Sequence, residues 1–443
     1  MRVFLCQSYL GPNSLAPPLA FPIGIAYLAS IIKNDHEVFC WDPNIVQHPL
    51  EELPRLLEKI SPDIVGLSFR NFDSGCSFNN RWYYPFFKSM VKTIKAAVPF
   101  CKLVVGGSGF TIFYREIMER NPEIDFGVVS EGEHSFLQLL KNQDHPEKVS
   151  NLVLRRNSEI YCTNRSVEDF DSLPAPERDL FEINEYKRKR YTISVQTKRG
   201  CGFNCIFCPC RYITGTKYRL RSPKKVVDEI EHLVNNYDLD SYFIVDSTFN
   251  HEFEHSRRIC QELVTRKIEA DWSAEFAPAF VNERFMKEAV KSGCKLFYFS
   301  PDGASDRALQ FLGKDMEVEH IKKTISLTRK IEEANAGFNF MYDLPMYNSE
   351  HVSGLACLAG KMISELREKL YFIALTKLRI FPHTPLYDFV VKEGKLSQNT
   401  DLLYPLYYSK ASKLSMENVI PELLQKTWLG FEAFTRKCRP SDF

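Results

Sequence analysis

The sequence carries almost no net charge. Its 443 residues include 57 basic and 56 acidic side chains, which gives a formal charge of +1 at pH 7. Proteins that bind nucleic acids or anionic membranes through surface charge need a surplus of lysine and arginine. Because no such surplus exists, we expect neither nucleic acid nor an anionic membrane surface among the partners.

Long apolar runs are missing as well. The chain has no stretch of about 18 consecutive apolar residues, the length that a membrane-spanning helix needs. Met1–Cys6 leads directly into a strand-like segment and lacks the cleavage region of a secretory signal peptide. The 13 cysteines are odd in number and do not follow the paired spacing of a secreted disulfide framework. These absences predict a cytoplasmic protein without a membrane span.

Residues 1–145 alternate between strand-like and helix-like segments. The pattern predicts five strands in a doubly wound, Rossmann-like parallel α/β sheet, which binds ligands beyond the carboxyl ends of its strands. No G-x-G-x-x-G motif opens a helix after the first strand, so a dinucleotide is disfavoured. The loops predicted at this edge are Ser8–Gly11, Ser68–Ser74, Gly106–Gly109 and Ser130–Glu133.

The most informative stretch is Lys198–Cys208, which contains three cysteines in the pattern C-x₃-C-x₂-C: Cys201, Cys205 and Cys208. Thiolates select iron–sulfur clusters, zinc or Cu(I). A cubane cluster normally takes four thiolates, so three on one loop leave one iron open. The residues alone also allow three core cysteines, or a zinc loop with Cys210 as the fourth ligand.

The spacing resembles the cluster loop of radical S-adenosylmethionine enzymes. The resemblance implies a 4Fe–4S cluster on the three cysteines, with S-adenosylmethionine chelated to the open iron and Phe207 packed near its adenine. Counting the strand before the loop, six strand–helix units follow the family pattern, which implies a partial (β/α)₆ barrel over residues 191–390. Active sites of such barrels lie at the carboxyl ends of the strands.

Three strand ends of this barrel resemble family signatures. Asp246 ends the second strand, where the resemblance implies contact with S-adenosylmethionine or the substrate; the alternative is a capping role. Ser300 and Asp302 resemble the family's Gly-x-Glu-Ser turn with aspartate in place of glutamate, and imply contacts to S-adenosylmethionine together with Asn339. Tyr342–Met346 resembles a Gly-Leu-Pro-Gly turn in which both glycines are replaced, which suggests a loop reshaped for a substrate.

The first domain resembles the cobalamin-binding domain of B12-dependent radical S-adenosylmethionine enzymes. The similar features are the glycine turn after the fourth strand, the Glu-Gly-Glu turn after the fifth, and the proline- and glycine-containing segment at Pro17–Gly24. The alternative is an unliganded flavodoxin-like regulatory domain. The cobalamin contacts implied by the resemblance are Ser8, Ser68, Arg70, Asn71, Gly106, Gly107, Ser108, Gly109, Glu131 and Gly132.

One family motif of histidine-ligated cobalamin proteins, D-x-H-x-x-G, is absent. We therefore expect no histidine on cobalt. The stretch Arg70–Asp73 resembles a loop that the family places near the lower face of the corrin, which implies a catalytic role for Arg70. A guanidinium has no lone pair to give to a metal. The alternative is that Arg70 and Asp73 pair with each other and brace the loop.

The predicted organisation has four parts: a cobalamin-binding domain at 1–145, a connector at 146–190, the radical S-adenosylmethionine barrel at 191–390, and a helical region at 391–443. The last region carries two aromatic clusters, Tyr404–Tyr408 and Trp428, Phe431 and Phe434, predicted to pack over the barrel mouth or to bind a partner. No second cysteine cluster occurs there, which disfavours the family branches with auxiliary clusters.

The resemblance covers residues 1–390 and implies a B12-dependent radical S-adenosylmethionine C-methyltransferase. In this family the reduced cluster cleaves S-adenosylmethionine, the resulting 5′-deoxyadenosyl radical removes a substrate hydrogen, and methylcobalamin supplies the methyl group. An anaerobic setting and an electron donor such as flavodoxin or ferredoxin are implied, and the substrate is a small molecule or a peptide or protein side chain. The alternatives are cyclisation or rearrangement, polar methylation of an aromatic carbon, and a non-catalytic cobalamin or cluster sensor. A methylthiotransferase is disfavoured because the first domain lacks that family's three cysteines.

Overall fold

A computed structural model of the protein describes residues 1–12, 20–75, 80–157, 159–345 and 349–408. Its internal contacts divide the chain into two compact units. The first comprises Met1–Gly202, Cys208–Asp238 and Phe381–Pro405, and the second comprises Phe203–Phe207, Leu239–Ile380 and the last described residues, 406–408. The predicted boundaries at residues 145, 190 and 390 follow family domains and stay predictions.

The first unit begins with alternating strands and helices. In chain order its elements are β1 (Arg2–Gln7), α1 (Ile23–Ile32), β2 (Glu37–Trp41), α2 (Pro49–Ile60), β3 (Ile64–Ser68), α3 (Tyr84–Ala97), β4 (Lys102–Gly106), α4 (Ser108–Arg120), β5 (Phe126–Val128), α5 (Glu133–Lys141), β6 (Leu152–Arg156), β7 (Glu159–Cys162), α6 (Ile183–Arg188), β8 (Ser194–Val195), β9 (Lys198–Arg199), α7 (Cys210–Thr214), β10 (Arg219–Leu220) and α8 (Pro223–Tyr237).

A seven-stranded sheet organises this unit in the order β2–β1–β3–β4–β5–β6–β7. The pairs among β1 to β5 are parallel, as the alternating sequence predicts, and the apolar residues of the central strands β1, β3 and β4 are almost fully buried. The hairpin β6–β7, predicted as part of the connector, extends this sheet because β6 pairs with β5 in antiparallel fashion. The predicted doubly wound sheet is confirmed.

The second unit repeats strand and helix. Its elements are β11 (Ser241–Ile244), α9 (Phe253–Thr265), β12 (Asp271–Phe276), α10 (Glu283–Lys291), β13 (Cys294–Asp302), α11 (Asp306–Leu312), α12 (Val318–Lys330), β14 (Asn335–Asp343), α13 (Ser349–Leu366) and β15 (Leu370–Lys377). These strands pair in parallel in the order β11–β12–β13–β14–β15. Five of the six predicted barrel strands thus lie in this unit, and β8, before the cysteine loop, lies in the first.

After β15 the chain returns to the first unit with α14 (Pro385–Lys392). Within Tyr404–Tyr408, the first residue is exposed and the last is buried. The indole Nε1 of Trp82 donates to the Leu403 carbonyl at 3.0 Å. The predicted cluster Trp428, Phe431 and Phe434 and the prolines at Pro17 and Pro18 lie outside the described residues. Among the helices that the structure describes, none is long and apolar enough to cross a membrane.

Candidate functional site

A cavity of about 270 Å³ opens in the first unit at the carboxyl ends of its parallel strands. It lies where the sequence predicts the cobalamin site, and seven of the predicted contact residues line it. They are Ser68, Arg70, Gly106, Gly107, Ser108, Glu131 and Gly132. Three predicted residues, Ser8, Asn71 and Gly109, lie in the same loops but do not line the cavity.

The cavity leaves room for a ligand beside α1. Gly24, in the first turn of α1, lines the cavity, and a Cβ built on it meets no atom within 4 Å. Ser68 and Arg70 also line it, and their side chains can hydrogen-bond a ligand. The residues that line the cavity therefore fit a polar ligand that presses against α1.

The predicted glycine turn has a structural role of its own. Gly107 has φ +100°, and a Cβ on it would lie 2.8 Å from the Phe69 carbonyl oxygen. A Cβ on Gly109 would lie 2.9 Å from the same oxygen. The Gly109 amide and the Ser108 hydroxyl both donate to the Arg70 carbonyl at 2.9 Å. These glycines let the start of α4 dock against the Arg70 loop, and their contact with cobalamin stays a prediction.

Arg70 lines the cavity, and its backbone carbonyl is held by the two hydrogen bonds from the start of α4. Its Nε donates to Asn71 Oδ1 at 3.3 Å, and it forms no ion pair with any described residue. The Asp73 carboxylate instead accepts from the Gly75 amide at 2.6 Å. The alternative of an Arg70–Asp73 ion pair is therefore not what the structure shows. Burial lowers the pKa of the Arg70 guanidinium, and the charge of Asp42 partly opposes this effect.

Filling the cavity from α1 should block cobalamin loading. We expect Gly24→Leu to weaken cobalamin binding at least tenfold, because about 1.4 kcal/mol of lost contact suffices for that change. Absorbance titration of the purified protein with hydroxocobalamin measures the effect. Gly360→Leu is the matched control, because Gly360 is also helical with nothing within 4 Å of a built Cβ. Equal cobalamin affinity of the two variants would contradict the assignment of this cavity.

The cysteine loop follows β9, which pairs with β10 in antiparallel fashion. Cys201 is buried, whereas Cys205 and Cys208 are partly buried. The thiol of Cys210, at the start of α7, hydrogen-bonds Cys201; this bond, burial and the nearby Cys208 raise its pKa. Among the described residues, no group of three or more Cys, His, Asp or Glu side chains is gathered as a single metal ion would require. The thiolates of a cubane bind separate iron atoms, so this donor set still fits a cluster.

Two ion pairs join the strands beside the cysteine loop to the cavity. Arg219 binds Glu131 through both Nη atoms at 2.5 Å. Arg199 donates to Glu133 at 2.6 Å, and both partners are almost fully buried. Burial alone raises the pKa of Glu133, but the charge and hydrogen bond of Arg199 outweigh it and lower the pKa below its ordinary value. Glu131 was predicted to contact cobalamin; the structure gives its carboxylate to Arg219.

In the second unit, Asp302, a predicted contact of S-adenosylmethionine, forms a buried ion pair with Lys314. Lys314 Nζ donates to Asp302 Oδ2 at 2.5 Å, and Asp302 has φ +64°. Burial raises the pKa of Asp302, while Lys314 opposes the rise. The Lys314 ammonium also lies 6.0 Å from the centroid of Phe207, the aromatic residue before Cys208. Asp302 and Phe207 are thus linked through Lys314, and their contact with S-adenosylmethionine stays a prediction.

Ser300 and Asn339 meet a residue that the sequence analysis missed. The Ser300 hydroxyl donates to Glu275 Oε2 at 3.0 Å, and Asn339 Nδ2 donates to the Ser300 hydroxyl at 3.2 Å. Burial raises the pKa of Glu275 to about 7. The signal was a glutamate in the interior of β12, between the apolar residues Ala274 and Phe276. Asp246 is buried just after β11, and its contact with S-adenosylmethionine or the substrate stays a prediction.

Comparison with known proteins supports two successive cofactor domains. The family model of the B12 binding domain matches residues 16–140. The model of the radical SAM superfamily matches residues 195–356. The two matches occur in the order that the sequence predicts.

Among curated proteins, an uncharacterized methyltransferase of Pyrococcus horikoshii is 24% identical over 418 residues, which is 93% of this chain and 87% of the relative. The anaerobic magnesium-protoporphyrin IX monomethyl ester cyclase of Cereibacter sphaeroides is 26% identical over 330 residues, 70% of this chain and 52% of the relative. The chain therefore spans about half of that cyclase.

Among solved structures, the radical S-adenosylmethionine methyltransferase TsrM of Kitasatospora setae has a TM-score of 0.77 at 20% identity, covering 90% of this chain and 79% of its own. Structures of TsrM contain a tryptophan substrate with an S-adenosylmethionine analogue, or cobalamin with a [4Fe-4S] cluster. This likeness shows a shared fold.

Proposed function

Because the chain belongs to the cobalamin-dependent radical S-adenosylmethionine methyltransferase family, we propose that it methylates an unactivated carbon of its substrate. The enzyme class and the three cofactors, a 4Fe–4S cluster, S-adenosylmethionine and cobalamin, follow from the family. In this proposal the methyl group passes from S-adenosylmethionine, by way of methylcobalamin, to the substrate carbon.

The bound cofactors supply the radical that removes hydrogen and the methyl group that replaces it. The chain's own residues bind and orient them. Cys201, Cys205 and Cys208 hold the cluster, the loop around Arg70 lies beside the cobalamin cavity, and Lys314 with Asp302 lies beside Phe207.

The observation that carries the proposal is the pair of buried bridges, Glu131 to Arg219 and Glu133 to Arg199. Both glutamates line the cobalamin cavity, and both arginines lie on the strands that lead to and from the cysteine loop. Within the first unit, the bridges thus tie the cobalamin cavity to the two strands that flank the cysteine loop. This arrangement supports an enzyme that uses both cofactors over a non-catalytic cobalamin sensor.

For the substrate, we propose a peptide or protein side chain. Replacement of both glycines in the Tyr342–Met346 turn supports a substrate loop particular to this chain. Polar methylation of an aromatic carbon and ring formation are the competing activities. They differ from radical methylation in the products of S-adenosylmethionine, so one experiment separates them.

The test is anaerobic reconstitution with S-adenosylmethionine labelled in its methyl group, a chemical reductant, hydroxocobalamin and cell extract. Radical methylation of carbon predicts one 5′-deoxyadenosine and one S-adenosylhomocysteine for each labelled methyl in a product. Polar methylation predicts S-adenosylhomocysteine without 5′-deoxyadenosine. Absence of label from every extract fraction, with intact cofactors, would refute the proposal.

Breaking one bridge should loosen the cofactor-binding unit. We expect Glu133→Gln to cost about 3 kcal/mol of folding free energy, because it leaves Arg199 buried beside a neutral partner. The pKa of Glu133 is lower in the folded state, so its contribution is present above the ordinary glutamate range and is lost as pH falls through the folded value. Urea unfolding of the apoprotein at pH 7.5 and pH 4 measures both effects.

Glu185→Gln is the control for the bridge variant. Glu185 pairs with Arg188 at 2.6 Å in the same unit, but both side chains are largely exposed. Exposed ion pairs contribute little, so this variant should unfold like the wild type. If Glu133→Gln matched it at pH 7.5, the buried bridge would have no role in holding the cysteine loop to the cavity.

A further inference from the structure

One face of the second unit's sheet is turned away from the helices. Along β12, Trp272, Ala274 and Phe276 are buried, whereas Ser273 and Glu275 are only partly buried. The buried side packs on helical residues, since Phe276 contacts Phe285 of α10 with ring centroids 6.3 Å apart. Because side chains alternate along a strand, Glu275 lies on the opposite, inner face.

Glu275 has aromatic neighbours on both adjacent strands. In the parallel register, Glu275 pairs with Tyr298 of β13, and Phe243 of β11 pairs with Ser273. The rings of Phe243 and Tyr298 meet edge to face with centroids 5.6 Å apart. Tyr298 in turn lies 5.5 Å from Phe372 of β15. Tyr298, the register partner of Glu275, thus belongs to a group of aromatic side chains on these strands.

The hydrogen bonds around Glu275 all run toward its carboxylate. Asn339 donates to the Ser300 hydroxyl, which donates to Glu275 Oε2. This direction leaves Glu275 as the acceptor at the end of the chain. Its other oxygen, Oε1, has no hydrogen bond from any residue that the structure describes. A ligand that completes the arrangement must bring a hydrogen-bond donor.

The charged groups that face Glu275 do not neutralise it. Burial is the main cause of its raised pKa; Asp302 raises it further, while the Ser300 hydrogen bond and Lys314 lower it. Lys314 is already bound to Asp302. Tyr298 faces Glu275 as well, and burial, Tyr371 and Glu275 itself raise the pKa of its hydroxyl. A cation brought by a ligand would offset the cost of ionising this carboxyl.

A carboxylate on the same sheet face as aromatic side chains offers the chemistry that recognises a cationic nitrogen. We propose that Glu275, with Phe243 and Tyr298, binds an ammonium, guanidinium or other positively charged N–H group of the substrate and so fixes which carbon is presented. Glu275 is then the specificity-determining residue of the barrel. This inference rests on the proposed methyl transfer for its role and on the inner-face geometry for its chemistry.

Binding is tested without turnover by the infrared carbonyl band of protonated Glu275, identified as the band missing in Glu275→Gln. The holoenzyme is titrated across pH 5–9 with n-butylammonium chloride, n-butanol or sodium butyrate at equal concentration. We expect a midpoint near 7 that moves to lower pH with n-butylammonium alone. Ser300→Ala should move it to higher pH, because the hydrogen bond that favours the ionised form is lost. A midpoint that responds equally to all three probes would overturn the proposal.

Catalysis is tested in the labelled-extract assay with Glu275→Gln. Loss of a charge-assisted hydrogen bond of about 1.5–3 kcal/mol predicts a roughly 10- to 100-fold fall in methyl transfer. Asp271→Asn, an exposed carboxyl on the same strand, is the control and should behave as the wild type. If Glu275 binds the substrate, 5′-deoxyadenosine formation without substrate stays intact; its loss would mean that Glu275 binds the amino group of S-adenosylmethionine.

The two proposals fail in different ways. If the wild type transfers no label, methyl transfer is refuted, and the infrared result still decides the cation site. If the wild type transfers label and Glu275→Gln does so equally well, the specificity role of Glu275 is refuted while methyl transfer stands.

Discussion

Replacing Cys201, Cys205 or Cys208 by alanine is expected to abolish the 4Fe–4S absorption and all cleavage of S-adenosylmethionine. In this assignment each cysteine thiolate binds one iron of the cluster, and the fourth iron has no protein ligand. Loss of a single thiolate therefore exposes a second iron and releases the cluster. Iron and sulfide content, the absorption of the reconstituted protein, and 5′-deoxyadenosine formation measure the effect, which should be complete in each variant.

Cys210→Ala is the informative control, because Cys210 is near the other thiols. Its Sγ lies 3.5 Å from Thr214 Oγ1, and its thiol hydrogen-bonds Cys201. The cluster should survive this change with its iron content unaltered. A normal cluster in any of the first three variants, or its loss in Cys210→Ala alone, would contradict the assignment of Cys201, Cys205 and Cys208 as the cluster ligands.

The sequence predicted the secondary structure well where periodicity is strong. Apolar alternation over Glu37–Trp41 predicts a strand, and β2 has the same bounds. The helical pattern over Tyr84–Val98 predicts a helix, and α3 ends one residue earlier, at Ala97. Apolar alternation carries this information within a single segment. The edge hairpin β6–β7 was expected too, but not its pairing with β5, because edge pairing is a property of the folded sheet.

The starts of helices were harder to predict. The sequence pattern predicts a helix from Phe110, but α4 begins at Ser108, since its first turn docks on the Arg70 loop. Ser222 followed by Pro223 predicts a helix cap; Ser222 does stand at the start of α8, but its side chain makes no capping hydrogen bond. Its amide instead donates to Asp171 Oδ1 at 2.6 Å. In both cases a residue distant in sequence decides the local geometry.

In the candidate site, too, local features could be predicted and contacts between distant residues could not. The three cysteines are close in sequence, so their spacing could be recognised from the sequence alone. The bridge from Glu133 to Arg199 joins residues 66 positions apart, and Glu275 meets Ser300 across 25 positions. One signal was available: a glutamate on the inner side of a central parallel strand, where apolar residues are usual.

Arg70 should control remethylation of cobalamin more than its binding. Its backbone carbonyl accepts two hydrogen bonds from the start of α4, so the loop stays docked when the side chain changes. A guanidinium offers no lone pair to cobalt, and without a lower ligand the cobalt is easier to reduce to the state that attacks S-adenosylmethionine. We expect Arg70→Ala and Arg70→Lys to lower methyl transfer at least tenfold, about 1.4 kcal/mol in the barrier, with cobalamin loading within a factor of two or three.

The measurements separate a role at cobalt from a role in the loop. Electron paramagnetic resonance of the wild-type cob(II)alamin form should show no nitrogen superhyperfine splitting, and 5′-deoxyadenosine formation should persist in both Arg70 variants. Arg81→Ala is the control, because Arg81 is a partly buried arginine that does not line the cavity and whose Nη1 donates to the Pro12 carbonyl. Normal methylation by Arg70→Ala, or complete loss of its cobalamin, would mean that the side chain only braces the loop. Among the described residues Arg70 forms no ion pair, so these measurements decide between the role at cobalt and the loop brace.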